Sequence, residues 1–130
     1  MESKITLNVE LYSSKNSRQF VKAGNGRSFL IKSKQARQQE DELIYLLLKN
    51  KPKWENMRRD KTYPYHIVFE ITRKTKRRFD YINIIQNLAD MMTKANYIED
   101  DDANHFLPVF KEYNVDKDNP SVTFYFLDNN

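Results

Sequence analysis

The stretch RRFDYINIIQNLADMMTKANYIEDDD, residues 77–102, carries the strongest structural and chemical signal of the chain. Its apolar residues recur every three or four positions, which predicts an amphipathic helix capped by Asp80 and running to about Ala95. The apolar stripe consists of Ile84, Ile85, Leu88, Met91, Met92 and Ala95, and the polar side holds Asp80, Asn83, Asn87, Asp90 and Lys94. Basic residues precede this helix and four consecutive acids follow it. Adjacent carboxylates repel one another unless solvent, a cation or a base offsets their charge.

The segments on either side of this helix predict a mixed fold. Five strands are predicted, over residues 4–12, 27–32, 65–72, 107–113 and 122–127. An earlier helix is predicted from the N-cap Ser33 to about Lys49, and Pro52 is expected to end it or at least to interrupt the segment before Trp54. Residues 13–26 are typical of a long loop or a wide hairpin. The order ββαβαββ predicts one α+β (mixed α/β) domain that spans residues 1–130.

Composition excludes several kinds of site. The chain has no Cys, which excludes disulfides, thiolate zinc sites and a Cys nucleophile. With only two His, His66 and His105, a multi-histidine metal site is disfavoured, so any metal is expected to have oxygen ligands, as Mg²⁺ or Mn²⁺ does. No apolar run reaches the length of a membrane span and the N-terminus lacks a signal-peptide pattern, so we expect a cytoplasmic protein without a membrane partner.

Charge is divided unevenly along the chain. Residues 1–89 hold 19 basic and 9 acidic residues, whereas residues 90–130 hold 3 and 9. This division is expected if one part grips a polyanion and another holds a cation, although segregation for solubility alone is the alternative. The candidate nucleic-acid-binding residues, which the resemblance described below would assign to DNA, are Lys15, Asn16, Arg18, Lys22, Lys74, Lys76, Arg77 and Arg78. Phe20, Phe29 and Phe79 lie nearby, and we assign Phe29 and Phe79 to the core rather than to base stacking.

The acids after the helix allow two interpretations. Charge runs are usually solvated loops, but apolar residues bracket this one on both sides. A helix that returns the chain to a sheet can also bring Asp80 near Asp100 and Asp101. Carboxylates that meet at one strand edge would form a hard-oxygen metal site.

These residues resemble the RusA-type Holliday-junction resolvases, which are small endodeoxyribonucleases of phages and prophages. The family pattern is a basic cluster, Asp-x-Asp-Asn, a helix with an internal Asp, a turn and an Asp-Asp pair. Residues 77–83 stand at the first element, Asp90 at the internal Asp and residues 97–101 at the last. Residues 12–18 are similar to an early Ser-rich loop of the family that carries an Asn and bases.

The resemblance implies a sheet with two helices and a homodimer that cleaves four-way or other branched DNA by phosphodiester hydrolysis with Mg²⁺ or Mn²⁺. It implies that Asp80, Asp100 and Asp101 are the catalytic metal ligands. It also implies that three further residues lie around these ligands and orient them, namely Asn83, Gln86 and Asp90. The host would be a bacterial cell that carries a phage or prophage.

Two positions depart from the pattern. Ile82 stands where the family has its second Asp, and Gln86 stands where it has a Lys. Either neighbouring residues compensate, with Glu99 or Asp102 as ligand and Lys76 or Arg78 as cation, or the chain is a catalytically weakened protein that binds branched DNA without cleaving it. A phage structural or assembly factor without a DNA role is a third alternative.

Overall fold

The computed structural model describes residues 3–11, 18–22, 28–32 and 34–127. Its elements are β1 (Ile5–Leu7), β2 (Arg18–Lys22), β3 (Ser28–Lys32), α1 (Lys34–Lys49), α2 (Lys51–Met57), β4 (Tyr65–Arg73), α3 (Tyr81–Lys94), β5 (Phe106–Phe110), β6 (Asn114–Val115) and β7 (Ser121–Phe126). The predicted α+β class is confirmed, and the predicted order holds approximately. Over the described ranges there are three helices instead of the two that were expected. The proposed N-cap Ser33 lies outside these ranges.

Strand β4 organises the main sheet, whose order is β1-β7-β4-β5. β7 runs antiparallel to β4, with Phe124 opposite Phe69, and β5 runs parallel to it, with Pro108 opposite Ile67. β6 continues along the same side of β4 beyond β5. Because Pro cannot donate a ladder hydrogen bond, Pro108 suits this edge position. β2 and β3 form a separate antiparallel pair.

Strand β1 is shorter than its apolar alternation suggests. Its alternating apolar residues are all buried, namely Ile5, Leu7, Val9 and Leu11. Pairing with β7 nevertheless ends where Leu7 meets Val122. Two residues further in the same register, Val9 would face Pro120, which has no backbone N–H to donate. The N–H of Val9 instead donates to the carbonyl of Leu7 at 2.9 Å.

Helix α2 corrects the prediction that Pro52 only stops a helix. α1 does end at Lys49, but α2 begins at Lys51 with Pro52 in its first turn. Proline is favoured there, because the first N–H groups of a helix have no intrahelical partner. The chain can therefore start a second helix at once, and this helix buries Trp54 completely.

The core lies between the helices and one face of the main sheet. The sheet contributes Ile67, Phe69 and Phe124, among others, and α1 contributes Leu43 and Leu47. The predicted stripe of α3 is buried throughout, from Ile84 to Ala95. Within the described ranges, no helix has the length and apolar character needed to cross a membrane.

Helix α3 connects the two charged segments, the basic one after β4 and the acidic one before β5. Fourteen residues of α3 span about 21 Å, so the helix separates the segment after β4 from the one before β5. α3 ends with Asn96 in the left-handed region (φ 61°), and the N–H of Tyr97 donates to the carbonyl of Met92 at 2.8 Å. Asn tolerates this conformation better than most residues. The resulting turn directs residues 97–102 back alongside the helix.

Candidate functional site

The basic loop, residues 74–78, leaves β4 and leads to α3. All five of its residues are exposed, and four of them are basic. The loop is held through its backbone: the N–H of Lys74 donates to Glu10 Oε2 at 3.0 Å, and that of Arg77 donates to Thr75 Oγ1 at 3.2 Å. Across the described residues, no ion pair involves the side chains of its four bases. Their charge therefore faces solvent.

The other predicted DNA-binding residues lie earlier in the chain. Lys15 and Asn16 fall outside the described residues. Arg18 and Lys22 are the first and last residues of β2, opposite Lys32 and Ser28 of β3. Only the backbone of this hairpin is described, so DNA contacts from its side chains remain a prediction.

Arg73 lies buried at the base of the basic loop. Its Nη1 donates to the carbonyl of Leu11 at 3.3 Å, and its guanidinium lies 4.5 Å from the centroid of the Phe79 ring. Its Nε has no partner among the described residues. Arg73 thus connects the chain at Leu11 with Phe79, which packs against the core as predicted.

Asp80 begins α3 as its N-cap, as predicted. Its Oδ1 accepts from the N–H of Ile82 at 3.0 Å, and its backbone is extended (φ −116°, ψ 117°). This bond satisfies one of the unpaired donors of the first turn. The side chain of Ile82, next to the cap, is 71% exposed. An apolar side chain thus occupies the surface where the family pattern has an acid.

The acidic run, residues 99–102, reaches α3 through Asp101. Gln86 Nε2 donates to Asp101 Oδ2 at 3.1 Å and to Asp90 Oδ1 at 3.2 Å. One neutral amide thus bridges two carboxylates at the place where the family pattern has a cationic Lys. Asn83, the third residue expected to orient the ligands, is half-buried on the preceding turn of α3.

The flanking members of the acidic run pair with His105 instead. His105 Nδ1 lies 2.5 Å from Asp102 Oδ1, and its Nε2 lies 3.5 Å from Glu99 Oε2. The hydrogen bond with Asp102 raises the pKa of His105, and the negative charges of Asp102, Glu99 and Asp100 add to the rise. This pairing is not among the predicted contacts, although His105 stands only three residues after Asp102. Glu99 and Asp102, the alternative ligands, thus contact His105 in this arrangement, and their role as metal ligands stays a prediction.

Short contacts within the run complete its shape. Asp100 Oδ1 accepts from the N–H of Asp101 at 2.8 Å, and the Tyr63 hydroxyl accepts from the N–H of Glu99 at 3.0 Å. The Tyr63 ring also packs edge-on against the His105 ring, with centroids 4.7 Å apart. No sequence pattern predicts these contacts of Tyr63 with the acidic run.

Helix α2 anchors the residue two positions before the run. The carbonyl of Tyr97 accepts from Trp54 Nε1 at 2.9 Å and from Arg58 Nη1 at 3.0 Å. The Tyr97 hydroxyl donates to the carbonyl of Leu47 at 2.5 Å, and burial raises the pKa of this hydroxyl. The unpredicted helix therefore fixes the position from which the acidic run departs.

The predicted metal ligands do not come together in this arrangement. Asp80 lies at the N-terminus of α3, while Asp101 contacts Gln86, six residues or about 9 Å further along the helix axis. Mg²⁺ requires its ligands about 2.0–2.1 Å away in octahedral geometry. Within the described ranges, no three or more His, Asp or Glu side chains are grouped closely enough to hold a metal ion. Asp80, Asp100 and Asp101 therefore do not fit a single three-carboxylate site as placed, and that site remains a prediction.

Comparison with known proteins provides no relative from which to assign a role, since the chain matches no protein-family model and no curated protein. The functional argument therefore rests on the geometry of the basic loop, the start of α3 and the acidic run.

Proposed function

We propose that this chain is a RusA-type protein that binds branched DNA through its basic loop and does not cleave it efficiently. The observation that carries the proposal is that the charged side chains of the basic loop before α3 lack partners within the described residues, whereas those of the acidic run after α3 have them. The bases of the loop are exposed and lack ion pairs among the described residues, whereas the carboxylates of the acidic run have internal partners.

The basic loop has the chemistry that phosphate binding needs. Lys and Arg neutralise phosphates and release condensed counterions, which supplies affinity independent of base sequence. Arg77 and Arg78 can each hold a phosphate through two parallel N–H donors, while Lys74 and Lys76 act as point charges. The backbone bonds of the loop reduce the entropy that it would lose on binding.

The surroundings of α3 argue against efficient hydrolysis. Gln86 brings no positive charge to the Asp90 and Asp101 pair, and Ile82 cannot bind a metal. Asp80 uses one carboxylate oxygen to cap its own helix. Because the three predicted ligands are apart, we derive no hydrolytic step from them.

A Mg²⁺- or Mn²⁺-dependent nuclease that resolves Holliday junctions is the second candidate. The observation that favours it is that Asp101 lies against α3, the helix that Asp80 caps. In that case Asp80, Asp100 and Asp101 would have to gather around the metal, and Gln86 would have to release Asp101. The activity therefore requires a rearrangement of the acidic run.

One experiment separates these candidates. A four-way DNA junction and a linear duplex of the same sequence are titrated with the protein in EDTA, over a series of salt concentrations. Both DNAs are then incubated with the protein in Mg²⁺ or Mn²⁺, with Asp101→Asn as the comparison. Junction binding without cleavage supports the proposal. Cleavage that Asp101→Asn abolishes supports the nuclease instead, and failure to bind either DNA leaves an assembly factor as the surviving alternative.

The proposal includes a homodimer in the cytoplasm of a bacterial host that carries a phage or prophage. A two-fold symmetric protein would match the near-symmetry of a four-way junction, since homodimers present the same surface twice. Light scattering coupled to size exclusion measures the mass of the free protein and of its junction complex. One junction per two chains is the expected stoichiometry.

A further inference from the structure

Aromatic rings form a fixed surface beside the basic loop. This aromatic patch consists of Phe79, Tyr81, Phe110 and Tyr113. Tyr81 lies 5.0 Å from both Phe79 and Phe110 between ring centroids, and Phe79 lies 4.9 Å from Tyr113. The Tyr81 hydroxyl donates to the carbonyl of Lys111 at 2.8 Å, which fixes its ring. The patch is therefore organised before any ligand arrives.

Ile82 stands at the edge of this patch and is largely exposed. At 71% exposure it is the most exposed large apolar side chain in the described part of the protein. An exposed Ile in the first turn of a helix contributes nothing to the core, and water must order around it. Together with Phe110, Tyr81 and Arg78 it lines an open depression of about 680 Å³.

The depression is lined by both apolar and charged side chains. Its apolar wall is formed by Ile82 and Phe110, while Arg78 of the basic loop brings a positive charge to its rim. Asp80 also lines it, with Oδ1 already engaged by the helix cap. Proteins hold an unpaired nucleobase and its phosphate by placing an aromatic or apolar wall next to a positively charged side chain.

Phe79 is less suited to this role than Ile82. One face of its ring is covered by the Arg73 guanidinium at 4.5 Å, and its other contacts are Tyr81 and Tyr113. Phe79 also lines the depression, but these contacts hold its ring in place, so we assign the ligand contact to Ile82 and Phe110.

We infer that this depression holds a single unpaired nucleobase at a DNA branch point, packed against Ile82 and Phe110 with its phosphate on Arg78. The inference rests on the proposed function. The occupant is chosen by charge complementarity, because the basic loop directly precedes the depression and would bring a polyanion to it. The patch then confers preference for branched over linear DNA, since a continuous duplex offers no unstacked base.

The test uses Ile82→Ala, with Leu48→Ala as a matched control. Leu48 is also a helical, largely exposed apolar residue, at 55%, but it lies on α1. The probe is a four-way junction with 2-aminopurine at the branch point, and the readouts are its fluorescence and the affinity for junction and duplex. Partial burial of the three side-chain carbons by which Ile exceeds Ala corresponds to about tenfold in affinity. Ile82→Ala is therefore expected to lose about tenfold of the junction preference and the fluorescence change. Duplex affinity and its salt dependence should stay unchanged, and Leu48→Ala should match wild type.

Three results would overturn the inference. In the first, Ile82→Ala keeps the wild-type junction preference and fluorescence change. In the second, Leu48→Ala loses both to the same extent. In the third, Ile82→Ala turns a dimer into a monomer by light scattering, which would assign the patch to a second copy of the chain. A wild-type protein that binds neither junction nor duplex would instead refute the proposed function itself.

Discussion

The basic loop and the acidic run flank the same helix, yet the charged side chains of the loop face solvent and those of the run contact other groups of the protein. The loop exposes Lys74, Lys76, Arg77 and Arg78, which have no ion pair among the described residues. The run engages its carboxylates one by one, with His105, with the Gln86 amide and with its own backbone. Charge left unpaired at a surface remains available to a partner from outside, whereas charge with internal partners shapes the loop that carries it.

The internal contacts of the acidic run orient it more than they stabilise the fold. Ion pairs at an exposed surface contribute about 0–1 kcal/mol and weaken with salt. Several such contacts together nevertheless select one loop conformation, which here directs Asp101 towards α3. The comparison can be tested by changing each region separately.

The largest expected effect is loss of DNA affinity on neutralising the basic loop. In the triple variant Lys76→Ala, Arg77→Ala, Arg78→Ala, the slope of log affinity against log salt should decrease in magnitude by about 2.7, since each phosphate contact contributes about 0.9. Affinity at about 0.1 M salt should fall on the order of a hundredfold. Fluorescence anisotropy with a labelled junction measures both quantities.

A variant of equal charge change controls for the overall field of the protein. Lys49, Lys53 and Arg59 are exposed basic residues of α1 and the α2 region, away from the basic loop in sequence. If replacing these three with Ala weakens binding as much as the loop variant does, the loop is not the DNA-binding segment.

A gain of nuclease activity is the next effect in size. The double variant Ile82→Asp, Gln86→Lys supplies the two residue types that the RusA pattern has at these positions. In the nuclease candidate, where the acidic run gathers around a metal, this variant should raise Mg²⁺-dependent nicking of a four-way junction at least about tenfold above wild type, because Ile82→Asp adds a carboxylate near Asp80 and Gln86→Lys adds a cation beside Asp90 and Asp101. Gel electrophoresis of end-labelled junctions measures the nicking rate.

The control is the double variant Ile82→Asn, Gln86→Met, whose new side chains are close in size to Asp and Lys but carry no charge. It should nick the junction at the wild-type rate. If the variant Ile82→Asp, Gln86→Lys binds the junction but nicks it no faster than wild type, then further residues besides these two prevent nuclease activity.

A moderate effect on stability is expected at Asp80. Asp80→Ala removes the cap of α3 and should cost about 1 kcal/mol in the free energy of unfolding. This corresponds to a fall of about 3–6 °C in Tm for a chain of this size. Asp80→Asn keeps an equivalent cap and should melt within about 1 °C of wild type. Differential scanning calorimetry distinguishes them, and equal melting of both variants with wild type would mean that the cap contributes nothing.

The smallest effect concerns pH and His105. Because the folded-state pKa of His105 is raised, its contribution to stability is fully present below the unfolded pKa of about 6.5 and is lost as pH rises through the folded value. The Tm of His105→Gln should therefore lie below that of wild type by more at about pH 5.5 than at about pH 9. Thermal melts across this range measure the difference. A Tm gap that widens with rising pH would contradict the pairing with Asp102 and Glu99.

The regular part of the fold was predictable because it depends on local patterns. The apolar stripe of α3 and the capping Asp80 predict both ends of this helix to within about one residue. Asn87 was the exception: it was expected on the polar side but is buried, with its Nδ2 donating to Gln39 Oε1 at 3.4 Å. Its partner lies 48 residues earlier on α1, and periodicity within α3 carries no information about that helix.

The candidate site was predictable in composition but not in arrangement. The sequence identified the acids and the two departures at Ile82 and Gln86. It could not show that Gln86 holds Asp101, because that contact depends on the turn at Asn96 and on the anchor that α2 provides. α2 itself was missed because Pro52 was interpreted as a stop, although proline is equally suited to a helix start.

The anchor at Tyr97 also gives the protein a built-in optical reporter. Trp54 is the only tryptophan of the chain and is completely buried. Its indole stacks on Tyr97 and Phe126, with ring centroids 5.0 and 4.8 Å apart, and donates to the Tyr97 carbonyl. Its ring neighbours belong to the core and not to the basic loop. Its emission should therefore shift to the red when the core opens or the base of the acidic run detaches, without any label attached to the protein.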